Sequence, residues 1–247
     1  MRDRLLSVDR WLTDIIGKPA FRLDGDFSQG LPEAFAQLTR PAFVDACVPT
    51  SDFKAAKVLR RSGFELVDTL VRLEGTHPAL PATHPALPAT TGGEDVGLAR
   101  PEEKKQVADL AARSFQYSRF HSDPRFPRAV ADRIKSEWAA GYFDGCRGDM
   151  MVVARCDGRV AGFFQCIVQS DHLHIDLYAV DPDFRRRGLA KSMLEEAVRH
   201  AQPSRISLGT QIVNIPSINL FVGMGFTIYE SKHIFHAHLE SYEDRKI

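Results

Sequence analysis

A basic turn around residue 188 has the composition of a binding site for a phosphate-containing ligand. Three arginines occupy positions 185–187, Gly188 follows them, and apolar residues recur at helical spacing from Leu189 onward. The first N–H groups of a helix have no partner within the helix, and the helix dipole favours anions there. Gly188 also lets the backbone come close to a ligand. The sequence therefore predicts a pyrophosphate site, although a solvated basic corner would have the same composition.

The residues before this turn predict a strand with two chemically different faces. Leucine, isoleucine and alanine at positions 173, 175, 177 and 179 alternate with polar or aromatic residues. This parity places His174, Asp176 and Tyr178 together on the second face. All three side chains can take up or release a proton, so this face is a candidate for acid–base chemistry. An ordinary solvated strand face explains His174 and Asp176 equally well.

The composition of the chain narrows the function classes. The 247 residues are 44% hydrophobic and 26% charged, which is typical of globular proteins and enough for two modest cores. A net charge of +0 gives the whole molecule no attraction to nucleic acid or to anionic membranes. No apolar run has the length of a membrane span, the N-terminus lacks a signal-peptide core, and the four cysteines form no CxxC pair. We therefore expect a cytoplasmic protein with no nucleic-acid or membrane partner.

A perfect repeat marks the boundary between two predicted domains. The seven residues from Thr76 to Ala82 recur unchanged from Thr83 to Ala89 and are rich in proline. Such a composition favours an extended, semi-rigid linker. The predicted organisation is an N-terminal α/β half-domain at 1–75, a linker at 76–93 and a second domain at 94–247.

Hydrophobic periodicity, caps and turn residues predict the elements of both domains. In the first domain we expect a helix at 4–16, a strand at 42–48, a helix from 51 or 52 to 61, and a strand at 64–73. In the second we expect strands at 96–99, 150–155, 159–169, 172–180, 206–210 and 226–239, with helices from 101, at 129–140, at 188–201 and at 217–222. The likeness of residues 61–64 to residues 223–226 suggests that the first domain is a degenerate half-copy of the second. Two unrelated β-α-β units are the alternative.

The register Arg185-x-x-Gly188-x-Ala190, placed directly after residues 180–182, resembles the acetyl-CoA signature of the GNAT acetyltransferases. The resemblance covers residues 94–247. It implies an α/β fold with a mixed, mostly antiparallel central sheet, N-acetyltransferase activity with acetyl-CoA as cosubstrate, and no metal. The family binds pantetheine on the backbone of a splayed strand and pyrophosphate at the turn. By this resemblance the cofactor-binding residues are Leu177, Ala179, Val180, Arg185, Arg186, Arg187, Gly188, Leu189, Ala190, Asn214 and Phe221.

Two further segments resemble the TDP-fucosamine acetyltransferases within the GNAT class: residues 118–124, and residues 210–214 followed by Gly225-Phe226. Those enzymes also carry an extra N-terminal half-domain. The resemblance implies that the acceptor is the amino group of a nucleotide-linked 4-amino-4,6-dideoxy sugar used in surface polysaccharide synthesis. Guanidinium, imidazole and aromatic groups suit diphosphate contacts and base stacking. The implied acceptor-binding residues are Tyr117, Arg119, His121, Arg125, Thr210 and Gln211.

Other functions fit the same motifs. The acceptor is alternatively another small amine or a protein N-terminus, and the chain is alternatively a module that binds acyl-CoA without catalysis. In each case the expected partner is a small molecule or peptide amine, and a homodimer is possible.

Acetyl transfer to an amine needs a base for the amine proton, donors for the developing oxyanion and often an acid for the leaving thiolate. His174 lies where related acetyltransferases often place a glutamate base, and an ordinary histidine pKa of about 6.5 suits that task. Many of them place a tyrosine acid four residues before the Gly-Phe pair, where this chain has Phe221. We therefore predict a slow enzyme in which the base and the backbone oxyanion donors carry most of the catalysis and the thiolate leaves unassisted or with help from water. A fast enzyme would instead mean that another group, such as Tyr178 or a water, supplies that proton.

Overall fold

The computed structural model describes residues 6–27, 30–76 and 94–240. The predicted linker at 76–93 lies outside these residues except for Thr76, which ends a strand. Among the described residues, no helix is long and apolar enough to cross a membrane.

Ten strands of the described chain form one sheet. In chain order, β1 to β10 are Leu6–Val8, Ala20–Leu23, Ala42–Pro49, Glu65–Thr76, Glu94–Leu98, Met150–Cys156, Arg159–Gln169, His172–Val180, Arg205–Gln211 and Thr227–Leu239. The helices α1 to α8 are Arg10–Ile16, Glu33–Ala36, Phe53–Arg61, Lys104–Ser114, Arg119–Ser122, Arg128–Phe143, Leu189–Ala201 and Ile215–Gly223. Short 3₁₀ turns cover Pro101–Glu103 and Pro182–Phe184.

The elements agree with the sequence-based expectations except near the N-terminus and at the short helix α5, which was not expected. The predicted helix at 4–16 is too long, because Leu6–Val8 is a strand and the helix begins only at Arg10. The Asp9 side chain accepts a hydrogen bond from the Leu12 amide (2.9 Å) and caps that helix. Strand β2 and helix α2 were not expected, since four-residue elements carry too little periodicity to be recognised.

The strand order is β1-β2-β3-β10-β4-β9-β8-β7-β6-β5. Two neighbouring pairs, β2/β3 and β8/β9, are parallel, and the other pairs are antiparallel. The prediction of a mixed, mostly antiparallel sheet is therefore confirmed. Strand β4 of the N-terminal segment lies between β9 and β10, so the two segments interleave in one sheet. The domain boundary at 76–93 stays a prediction.

The central part of the sheet repeats one pattern twice. Strand β1 is antiparallel to β2, β2 is parallel to β3, and β3 is antiparallel to β10. In the same way β7 is antiparallel to β8, β8 is parallel to β9, and β9 is antiparallel to β4. Strands β4 and β10, which follow the two Gly-Phe pairs, are exchanged between the repeats. This topology agrees with the half-copy hypothesis.

Candidate active site

A cleft of about 860 Å³ opens where strands β8 and β9 diverge. Their pairing runs only from His172/Arg205 to Ile175/Leu208, although both strands continue beyond it. The backbone of residues 176–180 thus faces the cleft on its β9 side, while β7 still pairs with its other side. Such free backbone groups are able to bind an extended ligand as an additional strand would be bound.

A β-bulge in β8 changes which residues share a face. Ile175 pairs with Cys166 and Leu177 with Gln165, so Asp176 is an extra residue in the ladder. His174 contacts Ser207 and Asp176 contacts α6, on one side of the sheet. Tyr178 packs with the cluster around α7 and α8, on the other side. The expectation of one shared face is therefore wrong for Tyr178, because the bulge reverses the alternation after Asp176.

The basic turn has the geometry expected of an anion site. Gly188 has a φ of 81° and lies at the N-cap of α7, a conformation that favours glycine. The first helical hydrogen bonds run from residues 191 and 192 to the Gly188 carbonyl, so the amides of residues 186–190 have no backbone acceptor among the described residues. The Arg185 Nε donates to the Val180 carbonyl (3.2 Å). Arg185, Arg186 and residues 188–190 line the cleft, whereas Arg187 stacks on the Phe184 ring at 5.1 Å outside it.

His174 lies at the mouth of the gap, bound to a shared hydroxyl. Its Nδ1 lies 2.9 Å from Ser207 Oγ, and His172 Nε2 lies 2.7 Å from the same oxygen. A hydroxyl has one proton, so it donates to one imidazole and accepts from the other. When His174 donates its Nδ1 proton to Ser207, its Nε2 keeps a free lone pair, the form of a general base. Burial lowers the pKa of His174, which keeps the ring neutral near pH 7.

Asp176 is fixed as a carboxylate by two neighbours. Its Oδ2 accepts hydrogen bonds from Trp138 Nε1 (2.8 Å) and Arg147 Nε (2.7 Å), and its Oδ1 accepts one from Arg147 Nη2 (3.2 Å). Burial alone would raise the pKa of Asp176, but the Arg147 guanidinium and the indole lower it below its usual range. The carboxylate is therefore a weak base, and its role is to hold Trp138 and Arg147 in place.

Tyr178 presents a phenol on the opposite face of the gap. Its hydroxyl is hydrogen-bonded to Ser217 of α8, and Asn214 Nδ2 donates to the neighbouring Thr210 Oγ1 (3.0 Å). Burial raises the pKa of Tyr178 to about 12, so the phenol keeps its proton. Phe221 is fully buried against the Tyr178 ring at 5.3 Å and does not line the cleft. The predicted residues Thr210, Gln211 and Asn214 do line it.

The far part of the cleft has a basic lining supplied by both segments of the chain. We call its cationic side chains the basic wall: Arg22, Arg72, Arg119, Arg147 and Lys232. Arg119 Nη1 donates to Asp45 Oδ2 (3.0 Å), and Asp45 is also 3.7 Å from Arg22 Nε. Tyr117 lies beside this wall and is 39% exposed. Of the four acceptor-binding residues predicted in this segment, Tyr117 and Arg119 line the cleft, and Ser118 and Phe120 line it with them.

The other two predicted residues of that segment lie outside the cleft. His121 contacts Ser118 Oγ through Nδ1 (2.6 Å) and Asp132 through Nε2 (2.9 Å). Arg125 forms an ion pair with Glu240. Four wall residues were not predicted, because each belongs to a strand or loop without a motif: Arg22, Arg72, Arg147 and Lys232. Only long-range strand pairing brings them together.

A buried tie fastens this segment to the sheet. Asp123 Oδ2 accepts hydrogen bonds from His236 Nδ1 (2.7 Å) and His238 Nε2 (2.7 Å), and Phe43 packs against both rings. Both histidine side chains are buried, with exposures of 1% and 5%. The three ligand atoms lie within 4.8 Å of one another, as in a metal site. Distances of 2.7 Å are those of direct hydrogen bonds, and Lys18 Nζ lies 3.5 Å from His238.

Comparisons with known proteins agree with this geometry. Residues 106–226 match the model of the acetyltransferase (GNAT) family. The chain is 28% identical over 204 residues to the spore coat polysaccharide biosynthesis protein SpsD of Bacillus subtilis (strain 168), covering 81% of this chain and 68% of that protein. It is 27% identical over 112 residues to the ribosomal protein bS18-alanine N-acetyltransferase of Salmonella typhimurium (strain LT2), covering 43% of this chain and 76% of that protein.

A solved structure has the same fold. The tandem GNAT protein from the clavulanic acid biosynthesis pathway superposes with a TM-score of 0.60 at 17% identity, covering 91% of this chain and 77% of that chain. The family match at 106–226 contains the diverging strands, the basic turn and α8, which together form the gap in the sheet. Residues 106–226, about half of the chain, therefore form a domain of the GNAT family of acetyltransferases. The protein is an N-acetyltransferase, and enzymes of this family use acetyl-CoA.

Proposed function

We propose that this enzyme acetylates the amino group of a nucleotide-linked amino-deoxy sugar. The observation that carries the proposal is the charge of the far part of the cleft. There the five cations of the basic wall outnumber four carboxylates: Asp24, Asp45 and Asp176 of the cleft lining, and Glu230, which pairs with Arg72 and Lys232. Excess positive charge favours an acceptor that carries a diphosphate over a polycationic amine. Arginines also match phosphate oxygens in geometry.

The relative with the longest match points to the same class of acceptor. SpsD is named as a protein of spore coat polysaccharide biosynthesis, and its similarity spans 204 residues of both segments. A polysaccharide pathway uses sugars activated as nucleotide conjugates, so an enzyme acting on them has to accommodate a diphosphate. The basic wall would supply that contact in this chain.

The gap between β8 and β9 fits acetyl-CoA. We assign the pyrophosphate to the amides of residues 186–190 with Arg185 and Arg186, and the pantetheine arm to the backbone of residues 177–180. Thr210 and Asn214 line the same channel. Bound acetyl-CoA would supply a thioester to the amine, and a backbone N–H of β8 would stabilise the negative charge that develops on its oxygen.

Two side chains are positioned to move the protons of the transfer. His174 Nε2, on the α6 face, would take the proton of the attacking amine. Tyr178, on the α7 face, would donate its phenolic proton to the departing thiolate. The bulge at Asp176 separates these two groups onto opposite faces, so base and acid approach the reacting carbon from different sides. Direct attack needs no covalent enzyme intermediate.

A thiol-release assay with a panel of acceptors tests the proposal. The panel contains dTDP- and UDP-linked 4-amino-4,6-dideoxy sugars, a peptide with an N-terminal alanine, and spermidine. We expect the highest kcat/KM with a nucleotide sugar. Acetylation of the peptide or spermidine at a higher kcat/KM than every nucleotide sugar would refute the proposal.

The chain offers a matched pair of variants for the same assay. Arg119→Ala should raise the acceptor KM at least tenfold more than the acetyl-CoA KM, because one bond of an arginine to an ionised group stabilises by about 1.5–3 kcal/mol. Arg125→Ala should leave both KM values within twofold, since its guanidinium pairs with Glu240 outside the cleft. Equal effects of the two variants would assign Arg119 a structural role.

A protein N-terminus is the second candidate acceptor. The similarity to the ribosomal protein bS18-alanine N-acetyltransferase, 27% identical over 112 residues, favours it. A peptide would enter the same gap from the α6 side, where Asp45 or Asp176 would neutralise part of its charge. The alanine peptide in the panel tests this candidate directly.

A further inference from the structure

Lys135 of α6 is a buried lysine without a hydrogen-bond partner. Only 8% of the residue is exposed, yet it lines the cleft next to the basic wall. Its Nζ lies 4.6 Å from the Trp138 ring centroid and 4.9 Å from that of Phe115. None of the hydrogen bonds within residues 6–27, 30–76 and 94–240 involves this Nζ. An ammonium group in such a place is stabilised by the ring faces but has no counter-ion of its own.

The charged groups around Lys135 do not supply a counter-ion. Arg119 and His121 face it from the segment before α6, and Arg147 faces it from the loop after that helix. Asp176 is the nearby carboxylate, and both of its oxygens are already bonded to Arg147 and Trp138. Burial and then the charge of Arg119 lower the pKa of Lys135 to about 7, against the opposing influence of Asp176. The amine is therefore mostly unprotonated above pH 7.

We propose that Lys135 binds the diphosphate of the acceptor and takes up one proton from solvent when it does so. The proposal rests on the proposed function, because it requires an anionic acceptor. A diphosphate placed against Arg119 and Arg147 would bring to Nζ the counter-ion that the free protein lacks. The lysine then gains a proton and a charge-assisted hydrogen bond, and no covalent bond changes.

The change in protonation of Lys135 on binding would make the cleft selective for anionic acceptors. In the free enzyme a neutral Lys135 spares the cleft an unpaired cation beside Arg119 and Arg147, which are each paired with a carboxylate. A neutral or cationic acceptor would bring no negative charge to Lys135, so the lysine would stay unprotonated. Such an acceptor would therefore lack the charge-assisted hydrogen bond from Lys135. Lys135 is therefore a specificity-determining residue for anionic acceptors.

Proton uptake is measurable without turnover. Calorimetric titration of the CoA-saturated enzyme with dTDP-glucose and with UDP-glucose uses probes that have no amine and whose diphosphate stays fully ionised from pH 6 to 8. Repeating each titration in two buffers of different ionisation enthalpy gives the number of protons bound. At pH 8 we expect about 0.9 proton per site, because a pKa of about 7 leaves about nine-tenths of the lysine unprotonated. At pH 6 the uptake should fall to about 0.1.

Three variants separate Lys135 from other sources of protons. Lys135→Met should bind the probe at least tenfold more weakly and without uptake. Lys135→Arg, which is always charged, should bind without uptake and more tightly than the methionine variant. Lys232→Met is the matched control, a second lysine of the cleft whose Nζ lies 3.0 Å from Glu230. It should weaken binding and leave the proton count unchanged.

The outcomes distinguish this inference from the proposed acceptor. Tight binding of a sugar nucleotide without uptake at pH 8, or equal uptake by the wild type and Lys135→Met, would overturn the role of Lys135 and leave the acceptor assignment intact. No binding of either sugar nucleotide would overturn both. If Lys135→Met fails to fold, the role of Lys135 is tested by the wild type and Lys135→Arg. Proton uptake by the wild type should fall between pH 8 and pH 6, and Lys135→Arg should show no uptake.

Discussion

Replacing Ser207 by alanine should slow acetyl transfer without weakening the binding of either substrate. Its hydroxyl lies 2.9 Å from His174 Nδ1 and 2.7 Å from His172 Nε2. By accepting the Nδ1 proton it would hold His174 in the tautomer whose Nε2 lone pair faces the amine. Ser207 acts through His174 and does not touch the reacting atoms, so it is a positioning residue.

The size of the effect follows from one hydrogen bond. An uncharged hydrogen bond contributes about 0.5–1.5 kcal/mol, and about 1.4 kcal/mol corresponds to a factor of ten in rate. Loss of the bond to His174 should therefore lower kcat by about 2- to 12-fold. Removing the base itself, by His174→Ala, should cost about 10²–10⁴-fold. The kcat of Ser207→Ala should therefore lie between that of the wild type and that of His174→Ala.

Steady-state kinetics from pH 5 to 9 measures these effects. Because burial lowers the pKa of His174, kcat/KM should fall only as the pH drops below about 6.5, and His174→Ala should lack that limb. Ser207→Thr keeps the hydroxyl and is the matched control, expected within twofold of the wild type. If both alanine variants stayed within twofold of the wild type, His174 would not be the base and the reasoning would fail.

Three further outcomes are expected. Tyr178→Phe should lower kcat by about 10²-fold or more at saturating substrates, since it removes the proposed acid; an unchanged kcat would assign that proton to water. Gly188→Glu should weaken acetyl-CoA binding at least tenfold in calorimetry, whereas Gly158→Glu, with a similar φ of 74° on the β6–β7 hairpin and outside the cleft lining, should bind normally. Asp123→Asn should lower the free energy of unfolding in urea at pH 7 by about 2–3 kcal/mol, because it weakens the two bonds to His236 and His238. The hydrogen bonds hold the pKa of Asp123 below its usual range, so this difference should persist until the pH falls below about 4 and should shrink as the folded wild type is protonated; equal unfolding curves at pH 7 would contradict it.

The strand at 172–180 and the basic turn after it were predictable because their signals are local, whereas the gap beside the strand was expected only from the family resemblance. Residues 172–180 alternate over nine positions, and the structure has a strand over the same nine. The glycine expected to end the turn has the positive φ that the site requires. A strand, a turn and a helix start are decided by neighbours within about one element length, which a single sequence contains.

The remainder of the site was unpredictable for two physical reasons. The bulge at Asp176 leaves the hydrophobic alternation intact, because both faces of β8 are covered, yet it moves Tyr178 to the other face. The basic wall depends on β4 entering between β9 and β10, a pairing between residues far apart in sequence. Phe221 illustrates the same limit, since its sequence position suggested a cofactor contact and its burial in the core removes it from the cleft.

The repeated topology explains why one half of the sheet would bind the donor and the other the acceptor. In the second repeat, strand β8 leads into three arginines and a glycine N-cap that suit a pyrophosphate. In the first repeat, strand β2 leads into Asp24 and Asp26, carboxylates that repel one. The first repeat instead contributes Arg22 and the buried Asp45, which orients Arg119 across the cleft. The first repeat, which has carboxylates at the turn where the second has arginines, is thus better suited to face the proposed acceptor than the donor.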